Sequence, residues 1–248
     1  MKRRNIILIA FVLIYIIVSI VCGFLKSDRK TVYLGSYTKV YIDDGIKINS
    51  KGETISNKKI KYYFNSTSKS GYLKSVGEVN NPEFHLEVRN EEGKIIDFLD
   101  DIIAYTTNVD IEIEKPSTMS LSQEDKDLIT NFLSNNGYDT NIKYSSKSKF
   151  DLDKDGKEEE IYSINIGEQY SSLLLLRSGD SISLIDSVIY NSEDEEEINK
   201  NILLYIYADF DSDGVYEFVI KENNGDNKPT YYNVYSYSEG IATIIEEE

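Results

Sequence analysis

The order of residues predicts a mainly β protein, α+β only by count of element types. The expected parts are an N-terminal transmembrane helix, a β-sandwich-like domain, one amphipathic helix and two four-stranded antiparallel meanders, each with a carboxylate-rich loop. Three observations carry this. Short runs that alternate apolar and polar residues, broken by Gly, Asn, Asp and Ser, fill most of the chain after residue 30. Beyond the N-terminal run, one segment stands out with apolar residues at helical spacing. The pattern D-x-D-x-D-G-x-x-E occurs at 151–159 and again at 209–217, each time between two alternating runs.

Composition narrows the functional classes. With 248 residues, 40% hydrophobic and 28% charged, the chain has material for one or two folded cores. The formal net charge of −16 argues against a nucleic-acid partner, because that affinity comes from Lys and Arg on phosphates. The same charge suits cation binding, and it equally suits a plain acidic surface. Cys22 and His85 are the sole residues of their types. Beyond Cys22 there is no disulfide and no thiol nucleophile, and a Ser-His-Asp triad or multi-histidine zinc site would have His85 alone to draw on. No catalytic residue emerges, so a protein that is not an enzyme is expected. Ile, Asn, Lys and Tyr are abundant, Trp is absent and Pro numbers three, a bias typical of AT-rich bacterial genomes.

Residues 6–25 form an uncharged run of 20 residues rich in Ile, Val, Leu and Phe, preceded by Lys2, Arg3 and Arg4. As a helix it would extend roughly 30 Å, the thickness of the hydrocarbon core. It is longer than the apolar part of a cleaved signal peptide and has no good small-x-small cleavage site. Val21 before Cys22 argues against a lipoprotein signal. A single uncleaved span in the cell membrane is expected, with 1–5 as a cytoplasmic tail and the C-terminal domains extracellular. Lys26, Arg29 and Lys30 nearly balance the basic count across the span. The orientation therefore rests on the basic tail ahead of a first helix and on the loops analysed below.

Residues 31–115 read as a β-rich extracellular domain. Alternating segments fall at 32–34, 40–42, 46–48, 60–64, 72–76, 84–88, 95–96 and 109–113, with turn residues at Asp43-Asp44-Gly45, Ser70-Gly71 and Asn90-Glu91-Glu92-Gly93. So many short strands argue a small sandwich or barrel. The stretch 98–105 fits a short helical turn or a buried strand, and periodicity does not choose. His85 alternates with Phe84 and Leu86 and is expected to be an exposed strand residue. The adjacent pairs Asp43-Asp44 and Asp100-Asp101 would point to opposite strand faces and do not resemble cooperating catalytic acids.

Lys115-Pro116 breaks the pattern and marks a boundary ahead of a second region at 120–248. Ser122 with Asp125 three residues on makes a capping box. Leu128, Ile129, Phe132 and Leu133 form one apolar stripe, and Asn135-Asn136-Gly137 supplies a stop. A helix over 122–135 is expected.

The two loops lie 58 residues apart, and the likeness of their surroundings extends beyond them. Extended segments precede them at 142–150 and 202–207. Others follow at 161–166, 172–177 and 182–190 in the first copy and at 218–221, 230–237 and 241–245 in the second. Each copy is expected to be a four-stranded meander with its loop between the first two strands. In such a loop the carboxylates at positions 1, 3 and 5 converge: Asp151, Asp153 and Asp155, then Asp209, Asp211 and Asp213. The backbone carbonyl at position 7, of Lys157 or Val215, and the carboxylate at position 9, of Glu159 or Glu217, complete an oxygen shell. Gly156 and Gly214 take the sharp turn, where a positive φ is expected and a Cβ would clash. Oxygen-only ligands favour Ca2+ over zinc or copper, and the tighter octahedron of magnesium fits less well, so two Ca2+ sites are expected. The alternative is a pair of acidic turns that bind nothing. Against it stands the crowding of Asp151, Asp153, Asp155, Glu158, Glu159 and Glu160, whose repulsion opposes a compact turn without a cation. An EF-hand is disfavoured because position 12 is Tyr162 or Ile220 and alternating strand residues follow.

On Asp151, Asp153, Asp155, Gly156 and Glu159, and again on Asp209, Asp211, Asp213, Gly214 and Glu217, the stretch 140–248 resembles the FG-GAP/VCBS-type repeats. These are the calcium-loop β-blades of integrin α propellers and of many bacterial surface proteins. The resemblance covers less than half of the chain. A propeller needs about four blades or more, and 31–115 contains no D-x-D-x-D-G loop. Two meanders packed together and covered by the helix are expected in place of a closed propeller. The resulting expectation is a single-pass bacterial surface protein with a calcium-stabilised β-repeat domain, acting in adhesion, ligand recognition or envelope scaffolding, with a cell-envelope component or a protein as ligand. The alternatives are a carboxylate-based hydrolase of cell-wall glycans and an accessory subunit of a membrane complex. The acidic run 193–197 reads as a solvated segment.

Overall fold

The structure, a computed structural model, describes residues 30–34, 38–42, 46–49, 58–64, 67–76, 85–98, 104–106, 109–168, 171–189, 200–224 and 230–246. The run 6–25, the tail 1–5, the acidic run 193–197, the pairs Asp43-Asp44 and Asp100-Asp101, and the side chain of His85 lie outside the described residues. Among the described residues no helix is long and apolar enough to cross a membrane.

Eight strands form one antiparallel sheet: β1 (Thr31–Leu34), β2 (Thr38–Tyr41), β3 (Lys47–Asn49), β4 (Lys58–Phe64), β5 (Thr67–Val76), β6 (His85–Arg89), β7 (Ile95–Phe98) and β8 (Ala104–Thr106). Their order is β3-β2-β1-β8-β4-β5-β6-β7. The stretch in which periodicity did not choose supplies β8, which pairs with both β1 and β4 and so joins two meanders into one sheet. Ala104 packs on one side of the sheet and Tyr105 on the other. A strand buried on both faces has no alternation to show.

These strands make one sheet, not the two of a self-contained sandwich. The second layer comes from further along the chain. Val32, Leu34, Val40, Ile48 and Tyr63 pack with Ile206, Val219 and Val234 in a single core. The short strand β9 (Ile113–Glu114) leaves the eight-stranded sheet and pairs with Tyr207 and Ala208 instead. Local alternation shows which face of a strand is apolar but not which sheet will cover it, and here the cover lies more than a hundred residues away.

The helix α1 (Gln123–Asn135) follows, capped by Ser122 and Asp125 as expected and terminated at Gly137, whose φ is 75°. Two antiparallel meanders complete the chain: β10 (Ile142–Phe150), β11 (Glu159–Ile166), β12 (Ser171–Ser178) and β13 (Ser181–Val188), then β14 (Lys200–Ala208), β15 (Glu217–Asn224), β16 (Tyr231–Ser238) and β17 (Ile241–Ile244). Strand parity sorts their side chains into layers. Tyr162, Ile164 and Ile166 of β11 meet Ile129 and Leu133 of α1, whereas Ile161 faces the second meander. The leucine run of β12 feeds both sides, with Leu173 and Leu175 toward the helix and Leu174 and Leu176 toward β14 and β15. In β14, Ile202 and Leu204 face the first meander while Ile206 faces the eight-stranded sheet, and a register shift between Leu204 and Ile206 makes that switch. The layers run helix, first meander, second meander, eight-stranded sheet.

A charged cluster ties α1 to the first meander. Asp125, 2% exposed, accepts from the Ser122 backbone N–H at 2.7 Å, from Lys147 Nζ at 2.8 Å and from the Tyr162 hydroxyl at 3.0 Å. Lys147 also donates to Glu160 at 2.9 Å, and Arg177 and Lys149 reach the same glutamate. Burial alone would raise the Asp125 carboxyl, but the hydrogen bonds from Lys147 and Ser122 outweigh it and hold the group well below the usual carboxylate range. A depressed acid contributes stability that is complete above its ordinary value of 3.8 and is lost as the pH falls below it. Asp125→Asn should therefore lower stability in urea melts at neutral pH by about 2 kcal/mol, by breaking a buried pair. The variant should also lose less than the parent between about pH 5 and pH 3. An identical acid decline in both chains would contradict this role for Asp125.

Candidate metal centre

Each carboxylate-rich loop joins the first two strands of its meander, with antiparallel strands on both sides and no helix. The loops are built alike. The residue at position 2, Leu152 or Phe210, is fully buried and fixes the loop to the core. Its backbone N–H donates to the position-9 carboxylate, Leu152 to Glu159 at 2.9 Å and Phe210 to Glu217 at 3.0 Å. Gly156 donates to Asp151 Oδ2 at 3.0 Å and Gly214 to Asp209 Oδ2 at 3.1 Å. The position-5 and position-7 amides donate to Asp153 and Asp155 in one loop and to Asp211 and Asp213 in the other. Position 4 is left-handed in both, at φ 58° for Lys154 and 63° for Ser212. Gly156 and Gly214 have φ of 87° and 96°, and a Cβ there would meet nothing within 4 Å. Backbone conformation, not a clash, is what favours glycine at these two turns.

The fold brings most of the expected oxygens together. In the first loop, oxygens of Asp151, Asp153 and Glu159 lie within 4.8 Å of one another; in the second, those of Asp209, Asp211 and Asp213 do so. Asp155 stands apart from the first group, and Lys157 donates to it through both its backbone N–H and its Nζ, the latter at 2.9 Å. Glu217 stands apart from the second group. Lys157 and Val215 occupy the same step after the glycine in the two loops. Three buried side-chain atoms lack a hydrogen-bond partner among the described residues: Thr38 Oγ1, Asp151 Oδ1 and Asp209 Oδ1. Two of the three are the same atom at position 1 of each loop.

Three of the loop carboxyls are held above their ordinary range, chiefly by burial. Burial, with the charges of Asp211 and Asp213, pushes Glu217 up to about 8. Asp211 is raised by burial and by Asp213, and Glu159 is raised chiefly by burial. A fixed positive charge among them would oppose each of these shifts by favouring the ionised carboxylates.

The loops also touch each other, which residue order gave no means of anticipating. The backbone N–H of Tyr216 donates to the carbonyl of Leu152 at 2.7 Å. Phe150 stacks on Tyr207 with ring centroids 4.3 Å apart and meets Tyr216 edge-on. The Tyr237 phenol, from the second meander, lies against Glu159 and bonds with Ser178 at 3.1 Å. The paired apolar residues at position 2 were visible as a signal in both copies, but the D-x-D pattern draws attention to the carboxylates. No protein-family model, curated protein or solved structure matches this chain.

Proposed function

We propose that the two loops are Ca2+ sites that rigidify a pair of FG-GAP/VCBS-like meanders. The observation that carries this reading is the matched pair of buried, donorless oxygens, Asp151 Oδ1 and Asp209 Oδ1. Leaving such an oxygen unsatisfied costs about 1–3 kcal/mol, more for a charged group. A cation satisfies it and relieves the repulsion around it at once. The oxygen-only donor set fits calcium, and a spread of 4.8 Å matches the shell of one ion with ligands at about 2.3–2.6 Å. Asp151, Asp153 and Glu159 would hold the first ion, with Asp155 and the Lys157 carbonyl completing the shell. Asp209, Asp211 and Asp213 would hold the second, with the Val215 carbonyl and Glu217.

The wider reading is a single-pass bacterial surface protein, its domains displayed outside the cell membrane, serving as a binding, adhesion or envelope-scaffold module and not as an enzyme. It is supported by the uncharged run 6–25 behind a basic tail and by the net charge of −16. A glycan hydrolase would need one carboxylic acid that keeps its proton near neutral pH and meets the substrate; Glu217 is raised that far, but it is 4% exposed and accepts the Phe210 backbone N–H inside its loop. Asp125 and Glu160 share a groove of about 380 Å3 with Lys147. Both are drawn below their ordinary values there, against the push of burial, so neither suits the acid role.

The test is thermal unfolding of the whole chain with millimolar calcium against a chelator. At an ion concentration about ten times the dissociation constant, each site adds roughly 1.4 kcal/mol. Two sites should raise the melting temperature by roughly 5–10 °C, and Asp153→Ala together with Asp211→Ala should abolish the shift. An unchanged melting temperature at millimolar calcium would remove the basis for the metal reading.

A further inference from the structure

The contact between the loops is asymmetric in charge. Lys154, at position 4 of the first loop, extends its side chain across to the second. Its Nζ lies 3.3 Å from Asp209 Oδ2 and 4.5 Å from the ring centroid of Tyr216. The equivalent residue of the second loop, Ser212, has the same left-handed backbone and no charge to send back. Asp209 Oδ2 thus receives Gly214 N–H and the lysine, while Oδ1 of the same carboxylate is buried without a donor. The first loop has a lysine of its own on a carboxylate, Lys157 on Asp155, but Lys157 is 82% exposed and only two residues from its partner. Lys154 is 48% exposed, rests on an aromatic face and pairs with a carboxylate that is 20% exposed.

We propose that Lys154 is a built-in competitor for the second cation site, supplied by the first loop. This rests on the reading of the loops as Ca2+ sites. Without an ion, the ammonium partly neutralises Asp209. An ion seated on Oδ1 places two positive charges across one carboxylate group from Nζ, and the lysine must withdraw toward water, which its half-exposed stem allows. The second loop then binds its ion more weakly than its own oxygens would, and the two loops do not bind alike. Repulsion between a divalent ion and an ammonium a few ångströms away, screened by solvent, corresponds to about three- to tenfold in affinity.

The experiment is calorimetric titration of Ca2+ into the whole chain and into its variants. Lys154→Gln, which keeps the stem and removes the charge, should raise the affinity of one site about three- to tenfold, and this gain should shrink in high salt. Lys154→Arg, which keeps the charge, should stay near the parent. Adding Asp211→Asn, which disables the second loop, should erase the gain from Lys154→Gln. If the parent binds Ca2+ and Lys154→Gln improves neither site, or if the gain persists with Asp211→Asn, the competitor role is overturned while the Ca2+ reading stands. If the parent binds no Ca2+ at millimolar concentration, both fall together.

Discussion

Each meander makes its first turn around a carboxylate oxygen that is buried from water and from every described donor. The turn cannot open to hydrate that oxygen without cost, because the next residue is driven into the core. Leu152 sits between the two meanders, and Phe210 between the second meander and the eight-stranded sheet. Withdrawing either would forfeit about 2–5 kcal/mol of packing. The loops are therefore held shut by apolar burial and pushed apart by their own charge. Glu159, Asp211 and Glu217 are raised chiefly by burial, with the charges of neighbouring Asp residues adding to it. On the proposed reading, a divalent cation would relieve that repulsion.

The position of the loops lets that local balance reach the whole C-terminal half. The second meander is covered on both faces, by the first meander on one side and the eight-stranded sheet on the other. Phe150, Tyr207 and Tyr216 stack where the loops meet, and the Tyr216 amide closes on the Leu152 carbonyl. Stiffening either loop thus stiffens the contact between layers. In the proposed setting outside the cell, calcium-loaded loops would act as staples of a displayed domain.

The meanders were legible in residue order because each strand keeps a local signature and each loop repeats one. The helix was legible from its cap, its stripe and its glycine stop. Three features were not. β8 is buried on both faces, so alternation could not mark it. The partner of the eight-stranded sheet lies far along the chain, and nothing in the segment 31–115 names it. The contacts of Lys154 with Asp209 and of Tyr237 with Glu159 depend on how two meanders pack, which the spacing within each loop does not encode. The carboxylates of the candidate site could be read from sequence, whereas the donorless Oδ1 atoms that give them meaning appear only once the chain is folded.

On the proposed reading, a cation sits against each of those two oxygens. The most direct test is anomalous diffraction from crystals of the protein grown with calcium. Two peaks per chain are expected, one at about 2.3–2.6 Å from Asp151 Oδ1 and one at the same distance from Asp209 Oδ1. Ordered waters or protein donors on those oxygens, with no anomalous peak at either loop, would contradict it.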